Sequence, residues 1–244
     1  PAGAQLAALA RQVFVYDFIN GVPYSVTNSY SSSQMAQIQS TQSYPVVVPM
    51  PAIPGSFITP KYAPISVTGS VETYTSPDYA RDQLMNDLNS VTSSLAVYIY
   101  QITDTGITNE LISLYNAGVN VTLLVSAKIY SYADSKAAKQ CYDTLLNAGL
   151  SVRLSPTYYR YTHNKYWIVD GNKVRLNTGN WSPSDYGTGN SYPPYGNSGW
   201  QDINRDFVVM ATSSELANVF TTVMNADYAN GSDYSPYVDL LAKE

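Results

Sequence analysis

One histidine and one cysteine occur in the 244 residues. The lone cysteine excludes an internal disulfide. Cys141 lies in a helix-like run, Ala137-Ala138-Lys139-Gln140-Cys141-Tyr142, and reads as a buried, inert thiol. With so few ligating side chains and no acidic cluster at ligand spacing, nothing points to metal-assisted hydrolysis, and no cofactor is expected. No Gly-x-Ser-x-Gly elbow occurs either, which leaves a Ser-His-Asp hydrolase without its nucleophile. No stretch approaches the ~18 consecutive apolar residues of a membrane span, so no transmembrane segment is expected. Charged residues make up only 13 % of the chain, about half the usual share. Ser, Thr, Asn, Gln and 23 tyrosines must therefore carry the polar surface. That profile fits a secreted, extracellular protein. The opening Pro1 to Ala10 is apolar but lacks a basic flank and is short for a signal sequence, so secretion would imply a signal already removed.

What is present is apolar material and uneven charge. Hydrophobic residues are 45 % of the chain, enough for a sizeable core. The net charge of −5 argues against a generic nucleic-acid binder, yet eight basic residues fall between Lys128 and Arg175: Lys128, Lys136, Lys139, Arg153, Arg160, Lys165, Lys173 and Arg175. Three acids oppose them, so this window is +5 and the remainder −10. A positive rim that attracts phosphates and a solvated helix face plus scatter are both open readings.

Residues 1–70 look irregular or strand-rich and read as an arm or covering layer. Val13 to Tyr16 is predicted as a strand followed by an Asn20-Gly21 turn, Ser29 to Ser43 as a loop, and Pro45 to Pro64 as too proline-rich for a central strand. From residue 71 to 244 helices and strands alternate. Ser76-Pro77 is expected to open a helix carrying Leu84, Leu88 and Val91. Strands are expected at 94–100, 119–125, 150–154, 166–169, 173–176 and 207–210, with helices at 108–116, 133–148 and 214–228. The alternation predicts an α/β sandwich, with a largely parallel or mixed β-sheet flanked by helices on both faces.

The single histidine stands in Thr162-His163-Asn164-Lys165-Tyr166-Trp167-Ile168-Val169-Asp170, a His-x-Lys-x4-Asp pattern. Asn177-Thr178-Gly179-Asn180 follows. The pattern arises by chance around one histidine on the order of once in 600 sequences of this composition, and it spans an expected strand-turn-strand. It resembles the signature of the phospholipase D superfamily, in which the Asp is followed by six residues and Gly-Ser/Thr-x-Asn. Thr178 and Asn180 match; Asn177 replaces the usual Gly, a mild departure because Asn tolerates a left-handed backbone. Asn204-Arg205-Asp206, before a strand, resembles the Asn-x-acid element of small members. The resemblance covers residues 72–229.

The chemistry explains these residue types. An imidazole can attack phosphorus and split one hard step into two. Lys165, two residues along a strand, shares its face and neutralises a phosphoryl oxygen. Thr178 and Asn180 share a face as donors. By resemblance Asp206 orients the imidazole, and Asp170 is a structural partner within the motif. The family mechanism uses two histidines and this chain has one, so the resemblance implies a homodimer with both copies of His163 in one site on the two-fold axis. Nucleic acid is the favoured phosphodiester substrate. Phospholipid is the alternative, and a non-catalytic polyanion-binding or structural extracellular role is a third. Aromatics crowd the motif, and the Tyr-rich stretch Ser184 to Gly199 is expected to line the entrance. Those tyrosines could stack on bases or sit at a lipid interface.

Overall fold

The computed structural model describes residues 2–20, 67–78, 80–187 and 203–242. The chain divides into two compact units, Gly3–Phe57 and Ile58–Glu244. The described part of the first is a helix, α1 (Ala2–Asn20), where a strand was expected at Val13 to Tyr16. Five alanines among residues 2–10 and the neighbouring Gln, Leu and Arg favour helix strongly, and propagation carries it through the β-branched Val13 and Val15. Phe14 and Phe18, four residues apart, stack with centroids 5.9 Å apart. The expected loop at 29–43 and the proline-rich run at 45–64 lie outside the described residues.

The second unit is built on one eight-stranded sheet. In chain order its elements are β1 (Ser70–Thr75), α2 (Ala80–Asn89), β2 (Ser94–Ile99), α3 (Thr105–Asn116), β3 (Asn120–Val125), α4 (Tyr132–Asn147) and β4 (Val152–Leu154). Then come β5 (Lys165–Val169), β6 (Lys173–Asn177), the single turn α5 (Pro183–Tyr186), β7 (Phe207–Thr212), α6 (Ser214–Asn230) and β8 (Ser232–Asp233). The sheet order is β1-β7-β6-β5-β2-β3-β4-β8. Strands β2, β3 and β4 run parallel, and every other pairing is antiparallel.

Alternation along the central strands sends side chains to two cores. Leu95, Val97 and Ile99 of β2 and Trp167 and Val169 of β5 face helices α2, α3 and α4. Those helices answer with Leu84 and Leu88, Ile107, Leu111 and Leu114, and Ala138, Cys141, Tyr142 and Leu145, all at three- and four-residue spacing. Tyr98, Tyr166, Ile168 and Val174 face the other way, onto Ala217 and Met224 of α6. Each fully buried leucine contributes roughly 1.5–3 kcal/mol. Asp104, Ser131 and Ser213 cap α3, α4 and α6 by accepting backbone N–H bonds. Gly118 and Gly149, at φ 88 and 93, end α3 and α4 where a side chain would be strained. No helix among the described residues is long and apolar enough to cross a membrane.

One expectation is corrected here. Ser76-Pro77 does not open a helix: the Ser76 N–H donates to the Asp206 carbonyl and continues the β1–β7 ladder, and α2 begins only at Ala80. The strand before it, β1, has no apolar run to announce it and is edge material, more polar than the strands inside the sheet. Of the two readings left open for the basic window, scatter fits better, because several of its charges are paired within the fold. Arg175 is buried at 7 % exposure and gives Nε and Nη2 to Asp87 Oδ1 at 2.9 and 2.6 Å. Trp167 Nε1 takes the other carboxylate oxygen at 2.8 Å. Arg153 pairs with Asp233, and Lys139 with Asp143.

Candidate active site

His163, Lys165, Thr178 and Asn180 lie at the end of the sheet where the parallel strands β2, β3 and β4 terminate and β5 and β7 begin. Ile99, the last residue of β2, pairs with Lys165, the first of β5. One step further the Tyr100 N–H donates to the Asn164 carbonyl at 2.8 Å, which places His163 just off the end of the sheet. Its ring is exposed, 5.0 Å from the Tyr100 ring, whereas Lys165 is buried at 8 % exposure. The Lys165 Nζ lies 3.1 Å from both His163 ring nitrogens and 3.1 Å from the His163 carbonyl oxygen. The expected sharing of one side by positions 163 and 165 is thus realised as contact. Trp167 and Trp181 are fully buried and meet edge to face at 5.3 Å.

The second strand pair brings in the rest. The Thr178 N–H donates to the Phe207 carbonyl, so the segment after β6 stays beside the start of β7. The Thr178 hydroxyl donates to Asp206 Oδ1 at 2.7 Å and accepts the Phe207 N–H at 3.0 Å. Gly179 leaves room for that carboxylate, since a Cβ there would come within 2.7 Å of Asp206 Oδ2. Asn177 is not left-handed; Asp170 is the only described non-glycine residue with positive φ. Asn177 is useful through its amide, which accepts the Gly179 N–H at 3.1 Å and donates to the Tyr186 hydroxyl at 3.0 Å. Asn180 Oδ1 and Asp206 Oδ2 are buried and have no partner among the described residues. No hydrogen bond joins Asp206 to His163 among them.

Asp170 is not brought to this end. It closes the β5–β6 hairpin at the opposite end of the sheet, and its carboxylate accepts the N–H groups of Thr92, Ser93 and Ser94 and the hydroxyls of Thr92 and Ser93. Against the opposing effect of burial, these bonds hold it well below the usual carboxylate range.

Sequence reasoning missed Asp185. This acid sits in α5, buried at 4 % exposure, and accepts from the Asn180 N–H, the Ser182 hydroxyl and Asn204 Nδ2, each at 2.7 Å. A signal for it was present: Ser182-Pro183-Ser184-Asp185 reads as an N-cap, a first-turn proline and an acid three residues on. The carboxylates of Asp185 and Asp206 are close enough to act on one another. Burial first, then the neighbouring Asp185, pushes Asp206 up, while the Thr178 bond and Lys165 pull it down. Tyr186, expected at the entrance, is buried; residues 188–199 lie outside the described residues.

Charge at the site is tuned by burial. His163 is lowered, first by desolvation and then by the Lys165 cation. Desolvation brings Lys165 down to about 8, opposed by Asp185 and Asp206. A phosphodiester anion needs the charged ammonium, which is lost as pH rises through that value. KM for a phosphodiester is therefore expected to rise between pH 7 and 9. In Lys165→Arg, whose guanidinium does not titrate there, that dependence should vanish even if turnover is impaired. An unchanged KM–pH profile in the Arg variant would show that Lys165 does not hold the anion.

Residues 84–228, more than half of the chain, match the family described as "Cardiolipin synthase, PLD-like domain". The chain belongs to the phospholipase D superfamily, as its motif and its mixed sheet between two helical layers led one to expect. Among solved structures it is similar to Nuc, a phospholipase D family member of Salmonella typhimurium, at 20 % identity and TM-score 0.55, over 68 % of this chain and 99 % of that one. NucT of Helicobacter pylori aligns at 17 % identity and TM-score 0.50, over 68 % and 100 %. A phosphatidylserine synthase of Haemophilus influenzae aligns at 15 % and 0.49, over 73 % and 43 %. At these identities the likeness concerns the fold. No curated protein sequence matches the chain.

Proposed function

We propose that the chain is a metal-independent phosphodiesterase, a secreted nuclease that works through a phosphohistidine. The observation that carries this reading is an exposed imidazole, His163, with the buried Lys165 ammonium 3.1 Å from its nitrogens. A nucleophile open to substrate and a desolvated cation beside it are what an anionic ester requires. In the first step a His163 nitrogen bonds to phosphorus. The bond from phosphorus to the leaving oxygen breaks, and that oxygen takes a proton from the imidazolium of a second histidine. In the second step the now neutral second imidazole takes a proton from water, whose oxygen bonds to phosphorus as the nitrogen–phosphorus bond breaks. Lys165 and the Asn180 amide hold the non-bridging oxygens.

With one histidine in the sequence, the second imidazole comes from a second copy of the chain. The active form is then a symmetric homodimer with the two His163 rings facing each other across one phosphate. Thr178, Asp206 and Asp185 form the hydrogen-bonded backing that orients the Asn180 loop. Lys165 supplies the positive charge that a metal supplies elsewhere. Cleavage of an oligonucleotide by the purified protein is therefore expected to continue in excess EDTA, while phospholipid vesicles are left intact and His163→Ala is inert on both. Loss of cleavage on chelation, restored by a divalent ion, would overturn the mechanism. Headgroup release from vesicles without oligonucleotide cleavage would overturn the substrate.

A further inference from the structure

A cavity of about 650 Å³ opens beside the site, lined by Lys128, Tyr130, Tyr132, Arg160, Tyr161 and Asp239, with Ser131 and Ala242 between them. One aromatic ring separates it from the nucleophile. Tyr100 touches His163 at 5.0 Å on one side and meets Tyr161 edge-on at 6.1 Å on the other. The Tyr100 hydroxyl also accepts the Tyr130 N–H at 2.7 Å, tying the wall of the cavity to the ring that packs on the imidazole. The floor is fixed: the Ile129 N–H donates to the Leu240 carbonyl and the Ala242 N–H to the Ile129 carbonyl, with Ile129 and Leu240 buried.

On this fixed floor stand exposed aromatic and cationic side chains. Tyr130 and Tyr132 are 67 % and 71 % exposed. The Arg160 guanidinium lies 5.6 Å over the Tyr161 ring and is exposed. Lys128 gives its ammonium to the Asp239 carbonyl oxygen, and the Asp239 carboxylate accepts the Leu241 N–H. Two cations and three tyrosines thus surround a space of the size that small-molecule sites have. Flat aromatic faces interleaved with cations suit unpaired bases on a phosphate backbone. They suit an acyl chain poorly, since it would leave the cations unpaired, and a duplex poorly, since its bases are already stacked.

Building on the nuclease reading, we infer that this cavity is a base-binding subsite that makes the substrate single-stranded nucleic acid. Tyr130 and Tyr132 stack on bases flanking the scissile phosphate, and Lys128 and Arg160 hold adjacent phosphates.

The test compares three substrates of one length: a single-stranded oligonucleotide, the same strand with abasic sites flanking the cleavage position, and the duplex. Wild type is expected to show a KM on the order of tenfold lower for the single strand than for the abasic strand, and poor cleavage of the duplex. Tyr132→Ala, and more so the double variant with Tyr130→Ala, should raise the single-strand KM by a similar factor and lose the discrimination against the abasic strand. Tyr132→Phe should keep both. Truncating side chains this exposed opens no buried cavity, so the variants are expected to fold. Intact oligonucleotide cleavage with wild-type KM and wild-type discrimination in the double variant would overturn the subsite alone. So would equal cleavage of duplex and single strand. Wild-type protein that hydrolyses bis(p-nitrophenyl) phosphate or vesicle phospholipid but no oligonucleotide would remove the nuclease reading, and the subsite with it.

Discussion

His163→Ala is expected to lower phosphodiester turnover by a factor on the order of 10⁵ without lowering thermal stability, because the ring is exposed and supports no core. The effect should be this large because the proposed mechanism uses the residue twice, as nucleophile and, from the second copy, as acid. Quenched turnover of the wild type should trap an acid-labile, base-stable phosphoryl group on the peptide that contains His163. The two identical residues must hold different protonation states at once, so they titrate as a coupled pair and the rate profile is bell-shaped. Mixing His163→Ala chains with Lys165→Ala chains should give inactive heterodimers, since only one imidazole is then present per site. Recovery of wild-type activity in that mixture would mean that one histidine suffices, and the shared site would have to be given up.

Asp87→Ala is expected to cost about 3–5 kcal/mol of folding stability. The carboxylate is buried at 7 % exposure and bonds Arg175 through two nitrogens and Trp167 through its indole N–H. Its removal leaves a buried guanidinium uncompensated and a buried donor unmatched, and α2 loses its polar tie to β5 and β6. Urea denaturation should show a lower midpoint at an unchanged slope. A double variant, Asp87→Ala with Arg175→Met, should recover much of the loss, because the unpaired charge then goes too. If the single variant is within 1 kcal/mol of wild type, the pair is not fastening these elements.

The eight residues that read as one basic window in sequence divide in space. Charge in a sequence has a sign but no direction. Arg175, Arg153 and Lys139 are spent on ion pairs within the fold, Lys165 is buried beside His163, and Lys128 and Arg160 face the cavity. Asp185 escaped notice for a related reason. Its place against Asn180 and Asn204 is made by a turn meeting a segment 19 residues away, and no local pattern reports that meeting. Asn177 was read through its backbone because an isolated substitution invites a conformational argument; its side-chain bonds to Gly179 and Tyr186 explain it better.

The sequence by itself determined what depends on short-range period. Apolar alternation marked β2, β3, β5 and β6, three- and four-residue spacing marked α3, α4 and α6, and the two-residue step from His163 to Lys165 put both on one side. The motif identified the family for the same reason, since its parts sit on adjoining strands of one hairpin. Only the tertiary structure decided what depends on pairing across the chain. It made polar Ser70–Thr75 an edge strand by laying it against β7, and it turned Ser76 away from its expected cap. It also brought Thr178, Asp185 and Asp206 to one end of the sheet and sent Asp170 to the other. Apart from the short Asn180–Asp185 contact, those outcomes rest on hydrogen bonds whose partners lie far apart in sequence, 28 residues for Thr178 and Asp206 and 76 to 78 for Asp170 and its backbone donors. Their energies exceed local preference, and no window of the sequence contains both halves of the interaction.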